Sequence, residues 1–172
     1  MSVERPNAVT LRGNPFTLVG EALKVGDPAP DFEVVGKDMK TVSLADTGTG
    51  VRILSALPSL DTPVCDMMTR RFNQEASEYP GVNILTVSMD LPFAQTRWCA
   101  AAGVDNVTML SDHRTGSFGT AFGTLIKELR LESRAIFVVD QDNIVRYAEY
   151  VSEVADQPDY DAALEVVRRL TE

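Results

Sequence analysis

Two apolar segments that enclose one amphipathic segment limit the fold of this chain more than any other feature. Residues 51–57 and 82–89 are rich in β-branched residues and carry few charges, as expected for strands covered on both faces. Between them, apolar residues recur at helical spacing along one face: Met68, Phe72, Ala76 and Tyr79. A strand, a helix and a second strand joined by short connections predict a βαβ unit.

The segments around this unit predict further strands and helices. Residues 9–19 predict a hairpin with its turn at 13–15, and residues 31–35 and 41–44 predict two more short strands. The later elements are a helix over 92–102, a short helix around Phe118 and Phe122, a hairpin over 135–147 and a last helix opened by Pro158 and Asp159. This order predicts a mixed α/β sandwich with helices on both sides of one central sheet, in a single domain over residues 1–172.

Charge and apolar content exclude several classes of function. The 16 Lys and Arg residues face 25 Asp and Glu residues, and the formal net charge of −9 with no basic cluster argues against nucleic-acid binding. The sequence holds no run of 18 apolar residues, so no spanning helix and no membrane association are expected. The first dozen residues lack the apolar run of a secretory signal, and we therefore expect a cytoplasmic protein.

The inventory of reactive side chains indicates that any chemistry runs through sulfur. The chain has two cysteines, Cys65 and Cys99, and one histidine, His113. A zinc site usually takes four Cys or His ligands, or three and a water, so this set cannot supply a structural site built from Cys and His alone. We expect neither a metal nor a cofactor. His113 fits no motif and is interpreted as a helix cap or a surface residue.

Cys65 is predicted to lie at the start of a helix. Thr62 followed by Pro63 is a helix-start pattern, with a Thr N-cap and Pro at the first helical position. Cys65 is then the third helical residue, among unpaired backbone N–H groups at the positive end of the helix dipole, which favours thiolate over thiol. The alternative for Cys65 is that it is a small buried apolar residue without a chemical role. The alternative for Thr62 is that it only caps the helix.

Cys99 falls in the helix predicted after the next strand. Helices that follow successive strands can be neighbours in space, so a pairing with Cys65 is plausible but not fixed by the spacing. In a reducing compartment most disulfides are transient and catalytic or redox-sensing. A permanent disulfide that stabilises the fold by closing this loop is the alternative.

Two segments of the chain resemble the signatures of bacterial thiol peroxidases, a branch of the peroxiredoxins. Residues 58–65 resemble the active-site signature, and residues 90–99 resemble the signature that holds the resolving cysteine. Trp98 departs from the Phe that is common in that branch, and Met67 and Met68 replace smaller or more polar residues. Further agreement comes from Arg70, Phe72, Asn73, Arg134, Ala135, Pro158, Asp159 and Tyr160.

The resemblance implies a thioredoxin-like fold and a role for each matching residue. Cys65 would attack the O–O bond of a hydroperoxide and become a sulfenic acid. Thr62 and Arg134 would polarise the peroxide, and Pro58 would shield the pocket. Cys99 would condense with the sulfenic acid into a disulfide within the subunit. Thioredoxin or a similar dithiol protein would reduce that disulfide, and the family is generally homodimeric.

Two structural questions follow from these roles. Arg134 is one of five arginines that could lie near Cys65, and an arginine before a strand is usually solvated, so only the resemblance selects it. The two sulfur atoms cannot bond unless the Cα atoms approach to about 4.4–6.8 Å. We therefore predict that the helix start at Cys65 and the segment around Cys99 unwind in each turnover.

The sequence is thus interpreted as a cofactor-free peroxidase for hydrogen peroxide and organic hydroperoxides. One alternative is a thiol–disulfide oxidoreductase that acts on proteins, which the absence of a Cys-x-x-Cys motif weakens, because Cys65 is followed by Asp66 and two methionines. The other alternative is a thioredoxin-like sensor module in which oxidation signals to a partner.

Overall fold

The computed structural model describes residues 2–172. Its strands are β1 (Glu4–Leu11), β2 (Asn14–Val19), β3 (Glu33–Val35), β4 (Thr41–Ser43), β5 (Arg52–Ala56), β6 (Asn83–Ser88), β7 (Thr108–Ser111), β8 (Leu125–Ile126), β9 (Leu131–Glu132), β10 (Ala135–Val139) and β11 (Val145–Tyr150). Its helices are α1 (Pro63–Ala76), α2 (Pro92–Ala102), α3 (Ser117–Phe122) and α4 (Tyr160–Thr171), with a short 3-10 helix over Leu44–Thr47. Within these residues no helix is long and apolar enough to cross a bilayer.

A seven-stranded mixed sheet forms the centre of the fold, in the order β11-β10-β5-β6-β7-β3-β4. Strands β5, β6 and β7 are parallel, and their neighbours on both sides are antiparallel. Every residue of β5 is buried, as predicted for an apolar strand covered on both faces. The predicted central mixed sheet is therefore confirmed.

The helices pack on both faces of this sheet. Helices α1, α2 and α4 share one apolar cluster, in which the rings of Phe72 and Tyr160 meet edge to face at 5.5 Å. On the other face α3 stacks Phe118 on Phe122 at 4.3 Å, as their spacing in the sequence predicted. Both cysteines belong to the α1/α2/α4 layer, since Cys65 is in the core of that cluster and Cys99 packs against it.

Helix α1 is shorter than its apolar pattern predicted. The helix ends at Ala76, and Tyr79 lies in the turn that follows, although its ring still packs on the same apolar cluster. Pro80 comes directly after Tyr79 and disfavours helical geometry there, so an apolar residue at helical spacing can contact the core from outside the helix.

The N-terminal hairpin belongs to a second sheet that the sequence did not predict, with the order β1-β2-β8-β9. Its turn is at Arg12 and Gly13, not at 13–15, since both residues adopt positive φ (51° and 82°) and Asn14 already pairs with Leu11. A two-residue turn with positive φ at both positions matches the twist of a hairpin. The tight turn therefore leaves Pro15 inside β2.

Candidate active site

Cys65 occupies the predicted place at the start of α1. The helix begins at Pro63, so Cys65 is its third residue, and the side chain is a free thiol with no exposed surface. The first helical hydrogen bond runs from the Asp66 N–H to the Thr62 carbonyl at 3.0 Å. The N–H groups of Val64 and Cys65 precede it and form the positive end of the helix dipole. The sulfur of Cys65 therefore belongs to the first helical turn, at the positive end of this dipole.

Arg134 reaches the sulfur of Cys65 from the neighbouring strand. Its Nη2 donates to Cys65 Sγ at 3.3 Å, and its Nε donates to the Val154 carbonyl at 2.8 Å. Arg134 lies near Cys65 because the next residue, Ala135, pairs with Ala56, the last residue of β5. From β5 the chain leads into α1, which carries Cys65. The structure thus brings Cys65 and Arg134 together, although the sequence could not rank Arg134 above the other arginines.

The charge of Arg134 has no carboxylate partner in the part of the chain that the structure describes. Arg134 is only 2% exposed, and a buried charge is costly unless an opposite charge or hydrogen bonds compensate it. The guanidinium donates to Cys65 Sγ, to Met68 Sδ and to the Val154 carbonyl. Its positive charge therefore lies against the sulfur of Cys65 at a site shielded from water.

Thr62 has the backbone conformation of an N-cap, but its hydroxyl does not cap the helix. The hydroxyl donates to the Ser59 carbonyl at 3.0 Å and accepts no backbone N–H, so the predicted capping bond is wrong. The turn over residues 59–62 offers the carbonyl within reach, since the Thr62 N–H also points to it at 3.3 Å. The hydroxyl oxygen therefore keeps its lone pairs available as acceptors.

A cavity of about 540 Å³ opens beside Thr62. Pro58 is buried in the connection between β5 and α1, outside this lining, and its shielding role stays a prediction. The lining residues come from the start of α1 and from α2: Leu60, Asp61, Thr62, Pro63, Asp66, Met67 and Trp98.

Asp90 fixes the loop before α1, and sequence reasoning missed its role. Its carboxylate accepts from the Ser59 hydroxyl at 2.7 Å, the Leu60 N–H at 2.9 Å and the Ser88 hydroxyl at 2.9 Å. A sequence signal existed, because Asp90 comes two residues after the end of β6, and the carboxyl ends of parallel strands β5 and β6 lie at the same sheet edge. A residue of the second signature, Asp90, thus holds the loop of the first signature in place.

Cys99 lies within α2, whose bounds agree with the prediction. The thiol is free and half-buried, and burial raises its pKa above the ordinary value. Cys99 also borders a second cavity of about 590 Å³ on the side of β7 and the β3–β4 turn. Both cysteines are thiols here, so the pairing of Cys65 with Cys99 stays a prediction.

Other ionisable residues singled out in the sequence lie elsewhere. Arg52 is buried at the start of β5, where it donates to the carbonyls of Gly50 and Asp140. His113 follows β7, where its Nδ1 is 2.7 Å from the Ser111 hydroxyl. The N-cap of α3 is Gly116, so the interpretation of His113 as a helix cap is wrong.

Comparison with known proteins decides the family. The redoxin family model matches residues 24–164. The chain is 54% identical over 162 residues to a thiol peroxidase of Bacillus subtilis strain 168, an alignment that covers 94% of this chain and 97% of that protein. The chain belongs to the thiol peroxidases of the redoxin family.

A second relative and a solved structure agree with this assignment. A thiol peroxidase of Halalkalibacterium halodurans is 52% identical over 161 residues, which cover 94% of this chain and 97% of that protein. A crystal structure of a peroxiredoxin-like protein from Aquifex aeolicus superposes with a TM-score of 0.88 at 40% identity, covering 95% of this chain and 97% of that one. The thiol peroxidase therefore has a thioredoxin-like peroxiredoxin fold and is an enzyme that reduces peroxide with a thiol.

Behind Arg134 the thiol peroxidase buries a carboxyl group, Glu132. Thr124 donates its hydroxyl to Glu132 Oε2 at 2.5 Å, and the carboxylate of Asp112 accepts two backbone N–H groups of α3. Burial raises the pKa of Glu132 well above the ordinary value, and the nearby carboxyl of Asp112 raises it further, while Thr124 and Arg130 act in the opposite direction. The other carboxyl oxygen, Oε1, has no hydrogen-bond partner among the described residues. The protonated form of Glu132 is therefore favoured.

Glu132→Gln is expected to make the thiol peroxidase more stable than wild type at high pH, by about 1–3 kcal/mol. The folded-state pKa of Glu132 is raised, so its favourable contribution is complete below the unfolded pKa and is lost as pH rises through the folded pKa. The glutamine amide oxygen accepts the same hydrogen bond from Thr124, and the amide does not ionise. Urea unfolding between pH 5 and 9 checks this, with the exposed Glu78→Gln as the matched control. Parallel pH curves for wild type and Glu132→Gln would contradict it.

Proposed function

We propose that Cys65 is the residue of this thiol peroxidase that reacts with hydrogen peroxide and organic hydroperoxides. The observation that carries the proposal is the contact between its sulfur and the guanidinium of Arg134 at 3.3 Å, in a buried site where that charge has no carboxylate partner among residues 2–172. The thiolate attacks the terminal peroxide oxygen and the O–O bond breaks. Sulfur is oxidised to sulfenic acid, and the second oxygen takes a proton and leaves as alcohol or water.

Arg134, Thr62 and the helix start stabilise the charges of this step. The guanidinium and the N–H groups of Val64 and Cys65 stabilise the thiolate and then the developing charge on the leaving oxygen. The Thr62 hydroxyl uses its hydrogen on Ser59, so its oxygen accepts the O–H of the incoming peroxide. We infer that peroxide enters through the cavity beside Thr62 and that Pro58 shields the reacting atoms from water.

Cys99 resolves the sulfenic acid. Its thiol sulfur bonds to Cys65 Sγ, and the sulfenic oxygen leaves as water with two protons. Cys65 is fully buried and Cys99 lies inside α2, so the first turn of α1 and the segment around Cys99 unwind to bring the Cα atoms within bonding range. Burial raises the pKa of Cys99, and unwinding removes that cause, so the nucleophile becomes reactive as it is released.

The remaining parts of the cycle are proposed from the family resemblance. Thioredoxin or a similar dithiol protein reduces the Cys65–Cys99 disulfide. The enzyme acts as a homodimer in the cytoplasm, each chain forming a single domain over residues 1–172. A transient disulfide suits a reducing compartment, which supports the cytoplasmic location.

Mass spectrometry of the oxidised cysteine tests this cycle directly. Cys99→Ser treated with one equivalent of hydrogen peroxide is expected to gain one oxygen atom at Cys65, because no thiol is left to resolve the sulfenic acid. Wild type treated in the same way is expected to lose two hydrogen atoms and to gain no oxygen. An unmodified Cys65 thiol in Cys99→Ser would reject the assignment.

A further inference from the structure

A polar cluster joins the two cysteine-bearing helices at their outer side. Asp66 directly follows Cys65, and Trp98 directly precedes Cys99. The indole Nε1 of Trp98 donates to Asp66 Oδ2 at 3.2 Å, and Arg70 Nε donates to Asp66 Oδ1 at 2.5 Å. We call Asp66, Arg70 and Trp98 the clasp. Each cysteine therefore has a member of the clasp as its neighbour in the chain.

Arg70 extends the clasp along α2. Its guanidinium carbon lies 5.6 Å from the centroid of the Trp98 ring, a cation–π arrangement. Its Nη1 donates to the carbonyl of Ala102, the last residue of α2, at 3.3 Å. One arginine of α1 thus contacts the Trp98 ring and the C-terminal end of α2 while orienting the carboxylate that the indole reaches.

We propose that the clasp holds α1 and α2 in their folded arrangement and thereby sets the rate at which Cys65 and Cys99 form a disulfide. The inference rests on the proposed function, since it concerns the resolving step of that cycle. Asp66 lies in the first turn of α1 and Trp98 next to Cys99, so both move when these segments unwind. The contacts of the clasp then break, which means that they stabilise only the arrangement before the disulfide.

The clasp acts on the resolving step, because that is the step in which both helices unwind. Arg134 and Thr62 have their own partners, Val154 and Ser59, and neither partner belongs to the clasp. A weaker clasp raises the population of the unwound arrangement, so the disulfide forms faster. Asp66, Arg70 and Trp98 are positioning residues in this sense.

The same rate decides how easily the enzyme is over-oxidised. A sulfenic acid at Cys65 either condenses with Cys99 or meets a second peroxide, which oxidises it to sulfinic acid and is itself reduced to alcohol or water. A clasp that slows unwinding prolongs the exposure of the sulfenic acid to peroxide. Its strength therefore sets the peroxide concentration at which the enzyme is inactivated.

Trp98→Phe and Asp66→Asn test the clasp by removing the indole N–H and the carboxylate charge. We expect each variant to form the disulfide about three- to tenfold faster than wild type, the effect of losing one part-buried hydrogen bond of ordinary strength. The peroxide concentration for half-maximal sulfinic acid should rise by the same factor. Because Asp66 and Trp98 also line the cavity beside Thr62, the rate constant for sulfenic acid formation is measured separately, and the disulfide rate is taken from sulfenic acid that has already formed. Rapid quenching followed by mass spectrometry measures all three quantities.

Lys127→Gln is the matched control, because it removes an exposed ion pair with Glu4 that is not part of the clasp. Its three quantities should equal those of wild type. Trp98 is the single tryptophan of the chain, so wild-type fluorescence should change at the rate of disulfide formation.

The outcomes separate the clasp from the proposed cycle. If wild type forms no Cys65–Cys99 disulfide, the proposed cycle is wrong, and the clasp with it. If wild type forms the disulfide and both variants resolve at the wild-type rate or more slowly, only the clasp is overturned. An equal fall in the sulfenic and disulfide rates would show general loss of structure and would also overturn it.

Discussion

Replacing Cys65 with serine is expected to lower the rate of peroxide consumption at least about a thousandfold. A serine hydroxyl stays protonated at neutral pH, and its oxygen cannot take up the peroxide oxygen as sulfur does when it forms sulfenic acid. The buried hydroxyl can still accept the hydrogen bond from Arg134, so the variant is expected to fold. Stopped-flow measurement of peroxide consumption with excess dithiol reductant checks the loss.

Cys99→Ser is the matched control for this loss, since it makes the same change at the other cysteine. Given one equivalent of peroxide and no added reductant, it should consume that equivalent at the wild-type rate without turning over. Cys65→Ser should consume none under the same conditions. Turnover by Cys65→Ser that approaches the wild-type rate would show that another residue carries the chemistry.

The central part of the fold was predictable because its signals are local and strong. The apolar runs of β5 and β6 and the spacing of Met68 and Phe72 determined the βαβ unit before any tertiary contact was known. Helix α2 was predicted to the residue, since Pro92 marks its first turn and Gly103 ends it in the left-handed conformation at φ 69°.

The strands that escaped prediction are held by partners far away in the chain. β8 and β9 have two residues each, too few for any periodic pattern, and they pair with β2 and with each other. β7 has four residues and is placed by its parallel pairing with β6. Such short strands are specified by tertiary pairing rather than by their own sequence.

In the candidate site, too, the features set by local sequence were predictable and those set by tertiary contacts were not. Thr62 and Pro63 fixed the helix start and therefore the place of Cys65, because capping signals act within a few residues. The contact of Arg134 with Cys65 depends on the pairing of β10 with β5, across 69 residues of sequence, and no local pattern records it. The Thr62 hydroxyl was predicted to cap the helix, but it donates to the Ser59 carbonyl instead, a contact that the helix-start pattern does not reveal.

Arg134→Gln is expected to lower the second-order rate constant for sulfenic acid formation about 100- to 1000-fold, the effect of removing one preorganised donor at a developing charge. The guanidinium is held by the Val154 carbonyl, by Met68 Sδ and by Cys65 Sγ, so it stabilises the reacting charges without reorganising. Arg134→Lys should recover only part of the rate, because an ammonium is a point charge that lacks the planar fork needed to reach these partners. Stopped-flow detection of sulfenic acid in the Cys99→Ser background measures this step alone.

Arg52→Gln provides the matched control, because Arg52 is equally buried at 1% exposure and also ends on backbone carbonyls. It lies at the first residue of β5, whereas Arg134 lies beside the last. Losing Arg52 removes one donor each from the Gly50 and Asp140 carbonyls, so the free energy of unfolding should fall while the rate constant stays unchanged. A similar rate constant in both variants would mean that Arg134 serves folding and not chemistry. A selective loss in Arg134→Gln would mean that the unpaired buried guanidinium stabilises the charge on sulfur and on the leaving oxygen.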